Sequence, residues 1–240
     1  MQIGLVKMNK PALKAAQVKV TNYHYLHSPV DQRTSLEGYD SYITPRNDYA
    51  GLLLFGRPEA TRCGDWYGDV LDVGSGQCEV TRWQVLNLSR VWLHPNVQPG
   101  GIYFNSERLP GYVDRKGQFR STLASSILAT ALERIGYDYL LARPPCFLDE
   151  PYEIRWLLSY CDTRVHKGTL YKAAGFELYR TNERGIQTWR KRLPKLTFDQ
   201  NEAIQKASLA SRRSRQYRGE RLAEQAQLSF ELNQEEVLNV

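Results

Sequence analysis

No run of apolar residues in this chain is long enough to cross a bilayer. The most concentrated, GLLLFG at 51–56, is a fraction of the roughly 20 residues that a membrane span needs. The N-terminus also lacks the long apolar core of a secretory signal, so the expectation is a cytoplasmic protein with no membrane partner. Cysteine is scarce and scattered: Cys63, Cys78, Cys146 and Cys161 form no C-x-x-C pair, which argues against a zinc ribbon or a disulfide framework and fits a reducing compartment. Internal repeats and low-complexity stretches are absent as well. What is there is ordinary for a globular protein, with 42% hydrophobic and 24% charged residues in 240, enough to bury a real core.

The charge is unevenly spread. The whole chain carries +6, and between Ala203 and Leu222 six cations (Lys206, Arg212, Arg213, Arg215, Arg218 and Arg221) face one acid, Glu220, a local balance of +5. Almost all of the excess therefore sits in one segment without a strong apolar stripe. Arginine pairs with phosphate through a planar fork and displaces counterions from a nucleic acid, so a basic appendage on a near-neutral body suggests a polyanionic partner. A solvated, salt-bridged helix that only aids solubility is the plainer alternative.

Patterning gives the order of elements. Residues 1–22 read as a helix or arm, and AGLLLFGRP as a buried strand. Residues 57–82, rich in glycine and aspartate, read as an irregular excursion or hairpin. RWQVLNLSRVWLHP is a second strong strand, stopped by Pro95. A glycine- and proline-rich loop over 95–117 precedes a helix in RSTLASSILATALERIG, with Leu123, Ile127, Ala131 and Ile135 at helical spacing. After a stretch at 137–153 without clear pattern come a strand in EIRWLLSYC, a short helix in GTLYKAA, and strands in FELYRT and IQTWRKRL. The expected fold class is α/β: a single twisted mixed sheet flanked by helices over 1–195, with a basic helical segment over 196–240.

GTLYKAAGFEL, with its G-x-x-x-Y-x-x-x-G-F pattern, resembles the motif in which a short helix precedes the penultimate strand of GNAT-superfamily transferases. Together and in this order, LNLSRVWLHP, SYCD and GTLYKAAGF are similar to the Mom family of phage and prophage DNA-modification proteins, over roughly residues 22–192. The resemblance implies a GNAT-like fold, double-stranded DNA as partner, and transfer of an acyl-like (carbamoylmethyl-type) group to the N6 amine of adenine, which protects phage or mobile-element DNA from restriction. It also implies a splay between the strand ending in RVWLHP and its neighbour, where the arm of a small-molecule donor lies, acyl-CoA or another donor. The usual Q/R-x-x-G-x-G/A phosphate loop is missing. Arg120, Ser121, Thr122 and Ser125, at the start of the following helix, could supply donors to an anion there, or could simply cap the helix.

Several residues stand out for chemistry. Arg90 lies inside an otherwise apolar strand, where a guanidinium needs an anionic partner. Asp162 closes a strand, the end at which α/β sheets gather their chemistry; there it could orient or deprotonate an amine, pair with Arg90, or cap the following helix. Tyr171 falls where many GNAT enzymes place a tyrosine that gives a proton to the leaving group. His166 and Lys167 read as loop contacts. By the resemblance, His24 and Tyr25 form the H-Y pair near the site, and with Asp162 they are the expected ligands if iron(II) is held; a hydrogen-bonded histidine is the plainer reading.

An amine on a paired, stacked base must be flipped out or met in melted DNA. Trp66, Tyr67, Trp83, Tyr103 and Phe104, in the loops 56–78 and 95–117 and beside them, could take over its stacking. With Arg212, Arg213, Arg215 and Arg218 they make the expected DNA-binding surface. Two other readings compete: a GNAT acyltransferase for a small-molecule or protein amine, and an inert GNAT-like module that binds nucleic acid.

Overall fold

A computed structural model describes residues 2–23, 36–58, 71–73, 76–78, 84–104, 109–144 and 153–238. Contacts divide the chain into two units, Met1–Gly136 with Glu153–Lys195, and Tyr137–Tyr152 with Leu196–Val240. Residues 137–152 thus group with the C-terminal segment.

The first unit is built on one seven-stranded mixed sheet. In chain order its strands are β1 (Gln2–Lys7), β2 (Glu37–Thr44), β3 (Asp48–Gly56), β6 (Val85–Leu93), β9 (Trp156–Asp162), β10 (Glu177–Thr181) and β11 (Ile186–Arg192). Across the sheet they run β1-β2-β3-β6-β9-β11-β10, and every neighbouring pair is antiparallel except β6 with β9. Two small hairpins lie outside it, β4 (Leu71–Val73) with β5 (Gly76–Cys78) and β7 (Gly111–Val113) with β8 (Phe119–Ser121).

The continuous apolar run foreseen at AGLLLFG is the centre of the sheet. Leu52, Leu53, Leu54 and Phe55 are all but inaccessible because β3 is paired on both edges and covered on both faces. Helix α1 (Lys10–Tyr23) covers one face through Ala16 and Val20, one turn apart, which pack with Met8, Leu36, Leu52, Leu54 and Trp92. Its start is fixed by Asn9, whose side chain accepts from the Ala12 amide at 3.0 Å. On the opposite face Tyr39 meets Phe55 edge-on at 6.0 Å, and the Arg134 guanidinium lies over the Tyr39 ring.

Three differences from the sequence reading have physical causes. The N-terminal arm begins with β1, and β2 was not foreseen at all, because EGYDSYIT carries two acids and several hydroxyls, with Glu37 and Ser41 buried. Both groups are satisfied: Lys7 reaches Glu37 at 3.6 Å, and Ser41 donates to the Gly51 carbonyl at 2.9 Å. The long loop 95–117 holds a 3-10 turn at Pro95–Val97 and the strand β7. The expected single helix is broken at 133–134 into α2 (Leu123–Leu132) and α3 (Ile135–Ala142), so part of the patternless stretch is helical.

The β3–β6 ladder contains a bulge. Leu54 pairs with Arg90 but Phe55 with Leu88, leaving Ser89 without a register partner. Arg90 and Trp92 therefore lie on the face of Leu54 and Leu52, the one that α1 covers.

In the second unit the helix α5 runs from Phe198 to Leu238, 41 residues or about 62 Å. Ile204 and Ser208 are buried on one stripe, whereas from Arg213 to Gly219 every side chain is exposed.

Candidate functional site

The parallel pairing of β6 with β9 covers three positions only, Val85 with Trp156, Leu86 with Leu157 and Asn87 with Leu158. Beyond them the two strands part. At the apex Ser159 replaces the ladder: its Oγ lies 3.2 Å from the Leu88 carbonyl oxygen and 2.9 Å from Tyr171 Oη. A carbonyl can only accept, so the single serine proton is best placed on Leu88 and the Tyr171 hydroxyl donates to Ser159. Past that point, among the described residues, β6 pairs with no strand but β3 as far as Leu93, an edge along which an extended ligand could add.

Tyr171 is held from three sides. It sits on α4 (Thr169–Ala173), stacked on Trp189 with centroids 5.8 Å apart and met edge-on by Phe176 at 5.6 Å. Gly168, in the left-handed conformation at φ 68°, lets the chain enter α4 directly against the Trp189 ring. Trp189 and Ser159 are register partners, which brings the indole and the serine to one face beneath α4. β10, the penultimate strand of the chain, follows this short helix. The fold is GNAT-like.

Comparisons with known proteins add little to that geometry. No protein-family model and no curated protein matches the chain. Among solved structures, a GNAT-family acetyltransferase from Listeria monocytogenes 4b F2365 is similar over 80% of this chain and 95% of its own, with 10% identity and a TM-score of 0.40. The GNAT domain of S. lividans PAT is similar over 79% and 89%, with 13% identity and a TM-score of 0.35. Likeness at this level decides nothing about activity.

Of the residues singled out in the sequence, Arg90, Asp162 and Tyr171 fall on the splayed strands or on the helix above them. Arg90 donates from its guanidinium to the Ser89 carbonyl at 2.7 Å. Asp162 pairs with Arg164 rather than with Arg90. The Arg164 guanidinium reaches both carboxylate oxygens, at 3.0 Å and 2.6 Å for the shorter contact to each, and the Arg164 amide adds a bond at 3.0 Å. These bonds hold the carboxyl far below the usual range, at about 2. A carboxylate so held is a weak base and serves better to orient a neighbour than to take its proton. His166 and Lys167 are exposed.

The Asp162 pair makes a checkable prediction. Its folded-state pKa is depressed, so whatever stability it supplies is present above 3.8 and lost as the pH falls toward 2. Arg164→Ala is expected to return the Asp162 midpoint upward, toward 3.8, in a carboxyl-detected NMR titration. An unchanged midpoint would show that Arg164 is not what holds it.

Arg120, Ser121, Thr122 and Ser125 do stand at the start of α2, as the sequence suggested, but their groups are engaged locally. Arg120 is bonded to Asp114 at 2.9 Å and to Gln118 at 2.8 Å. Ser121 accepts from the Leu123 amide at 3.2 Å, and Ser125 donates to the Thr122 carbonyl at 2.9 Å. Ser121 thus serves a helix-end amide, whereas Thr122, at the cap position itself, makes no side-chain cap bond.

His24, Tyr25, Trp66, Tyr67 and Trp83 lie outside the described residues. Among the described residues no three of His, Cys, Asp and Glu gather as a metal group would require, and both oxygens of Asp162 are taken by Arg164. The described donors therefore do not fit an iron site. Phe104 packs edge-on against Phe119 at 5.7 Å and so anchors its own loop.

A different aromatic group was missed. Trp92, His94, Tyr49 and Tyr23 meet one another near the far end of β6, with centroid separations of 5.8 Å for Trp92–His94, 6.3 Å for Tyr49–Trp92 and 6.5 Å for Tyr23–Trp92. Only the WLH in RVWLHP could have signalled it, since Tyr23 and Tyr49 come from α1 and β3. Tyr49 donates to Asp40 at 2.9 Å, and burial followed by that acid pushes its phenol pKa upward. Asn87 was missed too: its Oδ1 is buried with no hydrogen-bond partner, at the last paired position before the splay.

Proposed function

We propose that this protein is a group transferase that lays its donor along the free edge of β6 and delivers an acyl-like, carbamoylmethyl-type group to an exocyclic amine, the N6 amine of adenine in DNA. The observation that carries the reading is the apex of the splay, where a tyrosine hydroxyl, a serine hydroxyl and a strand carbonyl form one hydrogen-bonded chain beside an edge able to hold an extended donor.

In this reading the amine nitrogen forms a bond to the carbon being transferred, and that carbon's bond to the leaving group breaks with its electron pair. Tyr171 gives its proton to the leaving group, and the extra proton on the amine passes to water. Ser159 then turns its own proton from the Leu88 carbonyl to the tyrosinate, so the anion formed on Tyr171 is stabilised without any backbone movement. Asp162, kept ionised by Arg164, orients donors near the strand end. Tyr23, exposed and backed by the buried Trp92, supplies a stacking surface for a base out of its helix.

DNA as the substrate is favoured by the basic helix α5, whose exposed arginines have no evident role in a transferase for a small amine. Mass spectrometry of nucleosides from DNA of cells that express the protein tests the reading directly. A heavier deoxyadenosine is expected, absent when Asp162→Ala is expressed instead, and its mass names the group. Unmodified deoxyadenosine in both, with expression verified, would overturn the DNA reading in favour of a small-molecule or protein amine.

A further inference from the structure

The arginines of α5 are not arranged for one flat contact. Successive residues of an α-helix are about 100° apart around its axis. Arg212, Arg215, Arg218 and Arg221, at a spacing of three, therefore drift by about 60° at each step and wind about halfway round the helix. Arg213 stands on the flank that this series leaves open, about 140° from Arg218. Arg213, Arg215 and Arg218 are exposed, no acid occurs from Ala203 to Gly219, and Tyr217 among them is 70% exposed. No apolar face balances this charge: Leu209, Tyr217 and Leu222 point in different directions between the arginines. A lipid surface asks for basic and apolar faces opposite one another. A solvated helix with its charge on all sides fits a different partner, one that presents anions on two sides at once.

We infer that the segment from Arg213 to Gly219 inserts into the major groove of duplex DNA, with Arg213 and Arg218 contacting phosphates on opposite walls. An α-helix with its side chains is about 10–12 Å across, and the major groove of B-DNA is about 12 Å wide, against about 6 Å for the minor groove. Rows of phosphates border the groove on both sides, so cations on opposite flanks of one helix can be neutralised together. On any flatter anionic surface one of the two would face water. From Arg213 to Gly219 every residue is exposed, so a groove can admit this part of the helix. The inference deepens the DNA reading above and rests on it for the choice of partner, although its test does not use the transfer reaction.

The experiment measures binding of the full chain to a short mixed-sequence DNA duplex across a series of NaCl concentrations. The chain is compared with Arg213→Ala, Arg218→Ala and the double variant, with helicity checked by circular dichroism. Each single substitution is expected to lower the slope of log K against log salt by about 0.9, and the double by about 1.8. A duplex whose major groove is filled with glucosylated hydroxymethylcytosine should bind more weakly, and double-stranded RNA, with its narrow major groove, should compete poorly. The inference is overturned if either single substitution leaves the slope unchanged, if the filled groove binds as well as the open one, or if the chain does not bind duplex DNA. Should the slopes behave as stated while no modified deoxyadenosine forms, the transferase reading fails and the groove contact stands.

Discussion

Tyr171→Phe is expected to cut transfer by roughly 10²–10⁴-fold, the contribution of a positioned general acid, while leaving the KM for the donor and the stability of the fold close to wild type. The ring is what the structure packs: the stack on Trp189 and the edge contact with Phe176 both survive the loss of one oxygen. Ser159 keeps its bond to the Leu88 carbonyl, so no buried group is stranded by the change. Ser159→Ala should cost less, because Tyr171 still holds a proton and lacks only the stabilisation of the anion left behind. Steady-state kinetics of both variants on one substrate would check the order. Equal activity of Tyr171→Phe and wild type would remove the tyrosine from the chemistry and leave it a packing residue.

The second large effect is on the fold beneath that tyrosine. Gly168→Ala places a methyl group 2.5 Å and 2.9 Å from two ring carbons of Trp189, at a backbone angle that side chains rarely adopt. Left-handed strain of about 1–2 kcal/mol adds to about 1–3 kcal/mol for overpacking. The sum, about 2–5 kcal/mol, should lower Tm by about 4–20 °C in a chain of this size. Because Trp189 is the surface on which Tyr171 rests, activity should fall further than the folded fraction does. Thermal unfolding followed beside activity at a temperature where the variant is folded separates the two losses. A Tm within a degree of wild type would mean that α4 re-enters by another path.

Much of this sheet could be read in advance, and the parts that could not share a cause. The apolar strands β3 and β6, the turn GTLYKAAGF and the strand pair at the end are dense in residues that burial alone explains. β1 and β2 were missed because their stability is cooperative. Glu37 is tolerable only beside Lys7, and Ser41 only beside the Gly51 carbonyl, and neither partner can be known before the strands are paired. The site divides in the same way. Tyr171 sits in a local motif and was legible. Its link to Ser159, 12 residues away, and through it to Leu88, 71 residues further, depends on register. Asp162 was seen, but the decisive neighbour, Arg164, was overlooked because two adjacent opposite charges in a turn usually signify nothing. The cluster of Trp92, His94, Tyr49 and Tyr23 collects from three elements, and no linear pattern announces such a meeting.

The bulge at Ser89 gives β6 two parities. In a regular strand residues 88 and 90 would look the same way; here Leu88 follows Phe55, while Arg90 follows Leu54. One extra residue thus reverses the polarity code of the strand halfway along, and lets a single segment write apolar side chains toward one layer and a guanidinium toward the other. For evolution the informative feature at this position is therefore the bulge itself, more than the side chain it carries. Were the bulge smoothed out at unchanged length, Ser89 would stand opposite Leu54 and Arg90 opposite Leu53, which turns Arg90 into the layer of Phe55 and Tyr39, and Trp92 with it; a chain shortened by that one residue would keep Arg90 opposite Leu54.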